Sequence, residues 1–235
     1  MKKLIFYPLT LLILFCYFIG HAQELQVDPN TLIKDEAGNR VEQIKMRKLI
    51  MTGDWTLDPV KDKEGELLYM QLRKITEEEK AMMLKRMELR EPSEKVGKKA
   101  PNFNIQTLDG KTLTSKNTKG KIVVLNFWFT SCMPCIKEIP ELNEVYESYK
   151  NNPDVVFASI TFDSKSDVNT FLEKHPISYP VVTDSRSTCR LFEIKGYPTN
   201  IIIDRDGNYA DLVEGGFPHI DHYILNKIAK ALKTK

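Results

Sequence analysis

The sequence predicts an α/β protein with a central mixed sheet flanked by helices, preceded by a small α+β region. Three observations lead to this prediction. From about residue 96 onward, strand-like and helix-like segments alternate along the chain. Two of these segments, 122–129 and 155–162, are continuous apolar runs, which is typical of strands buried on both faces. A polar stretch with a proline at 91–95 separates the two regions.

The first 22 residues indicate export. A short cationic start is followed by the apolar run 4–19, and small residues precede Gln23. This order is that of a secretory signal peptide, so we expect cleavage after Ala22. The run is short for a membrane-spanning helix, yet retention as an uncleaved membrane anchor stays open. The expected divisions are therefore a signal peptide (1–22), a small N-terminal region (23–95) and a main domain (96–235).

The N-terminal region should contain strands, turns and one helix. Residues 49–52 and 55–60 look extended, with Gly53 and Asp54 as a turn. A second turn at 62–65 leads into an alternating strand at 67–74. Thr76 and Glu79 have the spacing of a capping box and predict a helix from there to about residue 90. No motif in this region indicates its role: docking, dimerisation and simple packing all fit.

The main domain should alternate strands and helices around one sheet. The predicted elements, in order, are a hairpin (102–107 with 111–114), a buried strand (122–129), a helix after the cysteines, a second buried strand (155–162), a short helix (167–174), an extended segment (179–183), a hairpin (199–204 with 209–213) and a closing amphipathic helix (220–232).

Composition limits the choice of partner. The 235 residues include 34 Lys and Arg against 32 Asp and Glu, a net charge of +2. Removal of Lys2 and Lys3 with the signal peptide would leave the chain near neutral. Nothing in this balance favours nucleic acid or an acidic membrane surface as the main partner. Four cysteines do not make a disulfide-rich miniprotein, so their spacing is the informative property.

Cys132 and Cys135 form a CxxC motif where a buried strand is predicted to end and a helix to begin. The free N–H groups at a helix N-terminus stabilise a thiolate relative to a thiol, so Cys132 is suited to attack a partner disulfide. Cys135, one turn further along the helix, is placed to resolve the resulting mixed disulfide. Pro134 fits the first helical turn because no N–H is needed there.

Other interpretations of the cysteines and their neighbours are weaker. Half of a zinc site would need a second ligand pair at suitable spacing, and the histidines are scattered. A purely structural disulfide does not account for the strand-to-helix position. Methionines in the N-terminal region could bind copper, but irregularly spaced methionines are more often core residues. Cys189 is predicted to be a small buried apolar residue, with a third redox thiol as the alternative.

The run from Val123 to Cys135 resembles the thioredoxin superfamily, and within it the TlpA/ResA-type exported thiol–disulfide oxidoreductases. A second landmark, Gly196-Tyr197-Pro198-Thr199, is similar to the cis-proline loop of that superfamily. The resemblance covers about 96–235 and includes the hairpin at 109–110, Pro140 and an extra insert between residues 162 and 180. It implies a thioredoxin fold whose redox-active disulfide, Cys132–Cys135, works without a bound cofactor or metal.

The resemblance also assigns roles to other residues. Pro198 should be cis and face the cysteine pair, and Tyr197 and Thr199 should join it in binding an extended substrate segment. Thioredoxin has a buried aspartate where this chain has Asn126, which cannot accept a proton from Cys135. Glu138, three residues after Cys135, matches a functional glutamate of the ResA-type branch and is the expected base. An exposed carboxylate that favours the helix dipole is the alternative for Glu138.

The function implied is a periplasmic thiol–disulfide oxidoreductase that reduces protein disulfides, for instance in cytochrome c biogenesis. A reductase outside the cytosol needs electrons delivered through the membrane, so a donor of CcdA or DsbD type is implied. The alternatives are a disulfide oxidase or isomerase of the same fold, and a non-enzymatic copper-handling envelope protein. A thiol peroxidase is disfavoured, because Leu125 and Phe129 stand where its motif needs Pro and Thr or Ser. Redox potential, substrate and oligomeric state are not determined by the sequence.

Overall fold

The computed structural model describes residues 28, 30–50 and 52–234. The predicted signal peptide, residues 1–22, lies outside the described residues. Within the described part of the chain, no helix has the length and apolar character that crossing a membrane requires.

A small three-stranded sheet forms the N-terminal region. Its elements are β1 (Ile33–Lys34), α1 (Gln43–Ile50), β2 (Trp55–Lys61), β3 (Leu67–Lys74) and α2 (Glu77–Glu88). β3 is central, parallel to β1 and antiparallel to β2. A separate small core of Ile33, Val41, Met46 and Leu72 lies between this sheet and α1. The capping box is present: the Thr76 hydroxyl accepts the Glu79 N–H at 3.2 Å, and the Glu79 carboxylate accepts the Thr76 N–H at 2.8 Å.

The predicted extended segment at 49–52 is wrong. Leu49 and Ile50 are the last residues of α1. They lie three and four positions after the buried Met46 and pack with it against the same small core. This spacing places the three side chains on one face of a helix.

The main domain is built around one central sheet. The elements are β4 (Asn104–Gln106), β5 (Thr112–Thr114), β6 (Ile122–Trp128), α3 (Met133–Tyr149), β7 (Val155–Thr161), α4 (Lys165–Leu172), β8 (Val181–Val182), α5 (Arg186–Leu191), β9 (Thr199–Ile203), β10 (Tyr209–Glu214) and α6 (Ile220–Lys233), with β4 and β5 forming a separate hairpin. The strand order is β10-β9-β6-β7-β8. β6, β7 and β8 are parallel, whereas β9 is antiparallel to both β6 and β10. The predicted mixed sheet is therefore confirmed.

Helices and the β4–β5 hairpin bury both faces of this sheet. Every residue of β6 is buried, and alternate side chains enter opposite cores. Val123, Leu125 and Phe127 pack with Phe103 and Phe192 on the face covered by the hairpin and α5. The other face packs against α3 and α6 through apolar side chains such as Leu142 and Ile224. β6 is thus held rigidly at the centre of the domain.

Strand pairing places the two sequence landmarks at one edge of the sheet. β6 runs toward the cysteine motif, and β9 starts immediately after Pro198. Because these strands are antiparallel, the end of β6 lies beside the start of β9, with Phe127 opposite Thr199. The cysteine pair and the cis-proline loop, far apart in sequence, therefore meet at the same end of the sheet.

The N-terminal region packs against the main domain. α2 contacts α6, and Met87 joins the core beneath α3 and α6. The Arg90 guanidinium donates to the Leu212 carbonyl at 2.7 Å, and the Asn226 amide donates to the Glu88 carboxylate at 3.1 Å. Of the roles left open by the sequence, packing against the main domain is therefore observed.

Candidate active site at the cysteine pair

Cys132 and Cys135 are joined by a disulfide at the start of α3. Cys132 is the N-cap residue, and its sulfur accepts the Cys135 N–H at 3.3 Å. Both cysteines are nearly buried, with exposed fractions of 4% for Cys132 and 2% for Cys135. The position combines the positive end of a helix with low solvent access, which is suited to controlled thiol–disulfide chemistry.

The Tyr197–Pro198 peptide bond is cis, the geometry that the resemblance implied. The Pro198 carbonyl accepts the Gly215 N–H at 2.8 Å, and the Thr199 hydroxyl donates to the Gly196 carbonyl at 2.8 Å. Tyr197 packs against the cysteine cluster. Among the described residues, the backbone N–H and C=O of Tyr197 form no hydrogen bond. They are therefore free to pair with another chain.

Aromatic side chains form a rim beside the cysteines. The Phe129, Phe162 and Tyr197 rings contact one another, with centroid separations of 5.3 to 5.6 Å. The Arg186 guanidinium lies over the Phe162 ring at 4.7 Å. Since the Phe129 carbonyl accepts the Cys132 N–H at 3.0 Å, this cluster is continuous with the cysteine motif.

Glu138 is buried in α3, one turn after Cys135, with only 2% of its surface exposed. The alternative of an exposed carboxylate is therefore wrong, because α3 turns this face toward the sheet. One carboxylate oxygen accepts the Asn200 amide N–H at 3.0 Å. The other oxygen has no hydrogen-bond partner among the described residues.

Asn200 connects Glu138 to a buried chain of hydrogen bonds. The Asn126 amide donates to the Asn200 side-chain oxygen at 2.9 Å. The Tyr179 hydroxyl in turn donates to the Asn126 side-chain oxygen at 3.4 Å. All of these side chains are buried. Asn126, which replaces the aspartate of thioredoxin, thus links Tyr179 to the residue that holds Glu138.

Burial raises the pKa of Glu138 to about 8, with a smaller contribution from the nearby Glu141 carboxyl. The hydrogen bond from Asn200 and, to a smaller extent, the Phe217 backbone N–H oppose this rise, because both stabilise the charged form. Burial also raises the pKa of Tyr179, as does, to a smaller extent, the Glu138 charge. Near neutral pH, Glu138 can therefore exchange a proton.

Sequence reasoning missed Asn200 and Tyr179. Asn126 and Asn200 each interrupt an apolar strand, which is a signal that a buried polar partner is needed. Only the register between β6 and β9, in which the two asparagines are direct partners, shows that they satisfy each other.

Two other residues weighed from the sequence lie near the site but outside the cysteine pair. Cys189 is a free, buried thiol in the core beneath the hairpin, and this core packs against Tyr197 of the cis-proline loop. Burial raises the pKa of Cys189, and a hydrogen bond with the Tyr197 side chain opposes the rise. His219 caps α6 and lies with Glu141 and Asp221 in a group whose potential ligand atoms are within 4.8 Å of one another. The Glu141 carboxylate in that group already accepts the backbone N–H of His219 at 3.2 Å and of Ile220 at 2.7 Å.

Comparison with known proteins gives consistent matches. A model described as the AhpC/TSA family matches residues 96–211. A thiol-disulfide oxidoreductase ResA of Bacillus cereus is 36% identical over 121 residues, which is 51% of this chain and 70% of that protein. The thioredoxin-like protein YneN of Bacillus subtilis (strain 168) is 32% identical over 121 residues, 51% of this chain and 71% of that protein.

Among solved structures, a putative thiol:disulfide interchange protein DsbE from Chlorobium tepidum has a TM-score of 0.53 and 29% identity, covering 58% of this chain and 97% of its own. A putative protein disulfide isomerase from Bacteroides thetaiotaomicron also has a TM-score of 0.53, with 27% identity, covering 59% of this chain and 90% of its own. Both similarities support the thioredoxin fold.

Replacing Glu138 by Gln should change how stability depends on pH. The folded-state pKa of about 8 lies above the ordinary value of 4.5, so the folded protein retains a proton that the unfolded chain loses. The contribution of this group to the free energy of unfolding is complete below about pH 4.5. It falls by about 1.4 kcal/mol per pH unit as the pH rises from about 4.5 to about 8, the pKa in the folded state. Glu138→Gln removes this loss, so the variant should gain stability relative to wild type as pH rises from about 5 to about 8.

The measurement is urea unfolding of the oxidised protein at several pH values. Glu144→Gln, an exposed change on the same helix, is the control and should follow wild type. Parallel pH profiles for wild type and Glu138→Gln would show that the buried carboxyl does not hold a proton at neutral pH.

Proposed function

Since the chain belongs to the ResA-type thiol–disulfide oxidoreductases of the thioredoxin superfamily, we propose that it acts as a reductase of protein disulfides outside the cytosol. The observation that carries this direction is the buried Glu138 carboxyl one turn after Cys135. In this fold, an oxidant is strong when its reduced, thiolate form is stabilised. In its ionised form, a buried carboxylate on the helix that follows the cysteines disfavours a neighbouring thiolate. This favours the disulfide form of the enzyme and makes the dithiol a reductant.

The proposed reaction has two exchange steps. The Cys132 thiolate attacks one sulfur of a substrate disulfide, forms a mixed disulfide and releases the first substrate thiolate. Glu138, after losing its own proton to solvent, accepts the proton of the Cys135 thiol as a carboxylate, and the Cys135 thiolate attacks the Cys132 sulfur. The enzyme disulfide forms, the second substrate thiolate leaves, and the proton held by Glu138 returns to solvent or to that thiolate. The substrate gains two electrons, which the enzyme loses.

Substrate binding is proposed at Tyr197, Pro198 and Thr199. The unpaired backbone N–H and C=O of Tyr197 support strand addition by an extended segment that carries the target cysteine. The rim of Phe129, Phe162 and Tyr197 would hold apolar side chains of that segment.

We propose that the protein works in the periplasm, after cleavage following Ala22 or as an uncleaved anchored form. Regeneration of the dithiol in an oxidising compartment then requires a membrane donor of CcdA or DsbD type. Apocytochrome c is one substrate that fits this placement. In this proposal residues 23–95 form a small accessory region and residues 96–235 the catalytic domain.

The reduction potential of the Cys132–Cys135 pair tests the direction. Equilibration of the full chain with glutathione or dithiothreitol buffers should give a value close to that of thioredoxin, about −270 mV. A value near about −120 mV, typical of a strong oxidant, would reverse the proposed direction. A pair that does not cycle at all would contradict thiol–disulfide exchange itself.

Replacing Cys135 by Ser should trap the mixed disulfide. Without the resolving thiol, Cys132 can attack but cannot be released, so a covalent complex with a disulfide-containing protein should accumulate. The measurement is non-reducing electrophoresis after incubation with oxidised substrate. Cys132→Ser is the matched control and should trap little or nothing; equal trapping by both variants would reverse the assigned roles.

Replacing Asn200 by Leu should shift the pH dependence of the resolving step. The variant removes the hydrogen bond that stabilises the Glu138 carboxylate, so the inflection assigned to Glu138 should move above about pH 8. Two other titratable groups interact with the Glu138 charge: the Glu141 carboxyl on α3 and the Tyr179 hydroxyl on the neighbouring segment. Both residues are unchanged in this variant. The measurement is the pH profile of substrate reduction by the reduced enzyme.

Ser159→Ala is the matched control for this change. Ser159 is buried in β7 beside Asn126, and its hydroxyl has no hydrogen-bond partner among the described residues. This variant should keep the wild-type inflection. An unshifted profile for Asn200→Leu would show that Asn200 does not position the proton acceptor.

A further inference from the structure

The loop at 215–219, between β10 and α6, contacts both landmarks of the active site. The Gly215 N–H donates to the Pro198 carbonyl at 2.8 Å, which ties the loop to the cis-proline segment. Gly216 lies against Pro134 of the cysteine motif so closely that a Cβ added there would be 2.7 Å from the Pro134 Cβ. This loop therefore forms one wall beside the cysteine pair.

The base of the loop is fixed by α3. The Glu141 carboxylate accepts the backbone N–H groups of His219 and Ile220 at 3.2 and 2.7 Å, and so caps the start of α6. Phe217 packs into the core beneath α3 and α6. The loop is thus anchored at several points within the main domain.

The outer side of the same loop contacts the N-terminal region. Gly53, in the turn before β2, lies against the Pro218 ring: a Cβ added at Gly53 would be 2.5 Å from the Pro218 Cβ and 3.2 Å from its Cγ. A carboxylate oxygen of the neighbouring Asp54 lies 3.9 Å from the His219 Nε2 and 3.6 Å from the Lys80 Nζ on α2. The N-terminal region therefore contacts the loop at Pro218 and His219, next to the residues that anchor it in the main domain.

We propose that the N-terminal region is a positioning element for the active site: Gly53 holds Pro218, and the 215–219 loop in turn holds Pro134 between the two cysteines. The physical reason is space. The sulfurs of a disulfide are about 2.05 Å apart, whereas two thiols need a non-bonded separation of roughly 3.5–4 Å. Reduction must widen the pair, so the position of a wall packed on Pro134 affects the balance between disulfide and dithiol.

This role concerns thiol–disulfide exchange in either direction, so it does not rest on the reductive direction proposed above. In this proposal Gly53 acts on the cysteines through the 215–219 loop and Pro134. Their expected effect is on the redox equilibrium of the pair and not only on the stability of the fold.

The test is Gly53→Ala in the full chain, with Gly65→Ala as the matched control. Both glycines lie in turns of the N-terminal region at positive φ, +82° for Gly53 and +91° for Gly65, so alanine strains both backbones alike. A Cβ at Gly65 meets nothing within 4 Å, whereas a Cβ at Gly53 collides with Pro218. Both variants should lose thermal stability, and only one should disturb the loop.

The measured quantity is the equilibrium constant of the cysteine pair with glutathione. We expect Gly53→Ala to change this constant at least about threefold, equivalent to about 14 mV, and Gly65→Ala to leave it at the wild-type value. Gly216→Ala, which places a methyl group directly against Pro134, should also change the constant. If Gly53→Ala does not fold, Pro218→Ala decides, because it opens the ring and removes the Pro218 Cγ that lies beside Gly53 while keeping the Cβ.

Wild-type constants for Gly53→Ala and Pro218→Ala would overturn the proposal, as would equal changes in Gly53→Ala and Gly65→Ala. An unchanged constant for Gly216→Ala would overturn the path through Pro134. These outcomes differ from a failure of the activity itself, in which the wild-type pair would not exchange with glutathione.

Discussion

The pairing of β6 with β9 is the constraint on which the rest of the active site depends. Because the two strands are antiparallel, the residues that follow β6 and those that precede β9 lie at one edge of the sheet. This single register brings the cysteine motif beside the cis-proline loop and places Asn126 directly opposite Asn200. Burial of both faces of β6 keeps the register unique, since a slip by one residue would exchange its two apolar faces and displace the asparagine pair.

A carboxyl group in the core is costly unless it is neutral or hydrogen-bonded, and Glu138 meets this cost in both ways. Its raised pKa keeps the proton near neutral pH, and the Asn200 amide stabilises the charge when the proton leaves. The neutral side chains of Asn200 on β9 and Asn126 on β6 extend this hydrogen-bond network from one strand to the next without adding another charge. In the proposed reaction, this network supplies the buried group that accepts and returns a proton.

The 215–219 loop unites parts of the chain that are far apart in sequence. It contacts the cis-proline loop through Gly215, the cysteine motif through Gly216 and the N-terminal region through Pro218. The close approaches at Gly53 and Gly216 leave no room for a side chain, so the surfaces fit with little freedom. The N-terminal region, which lies outside the matched family segment, 96–211, thereby contacts a loop that packs on Pro134 of the cysteine motif.

The sequence by itself determined most elements of the main domain and the position of the cysteine pair. Apolar runs, the capping box at Thr76 and the position of Cys132 between strand and helix are local patterns. Such patterns can be recognised without knowledge of the fold. The error at Leu49 and Ile50 arose because a short apolar run fits a strand or a helix, and only packing with Met46 selects the helix. Tertiary structure alone decided the burial of Glu138 and the identity of its hydrogen-bond partners. Glu138 and Asn200 are 62 residues apart in the chain, and Asn126 and Asn200 are 74 residues apart. Burial and hydrogen bonding at such separations depend on strand register and helix packing, and no local pattern in the chain encodes them.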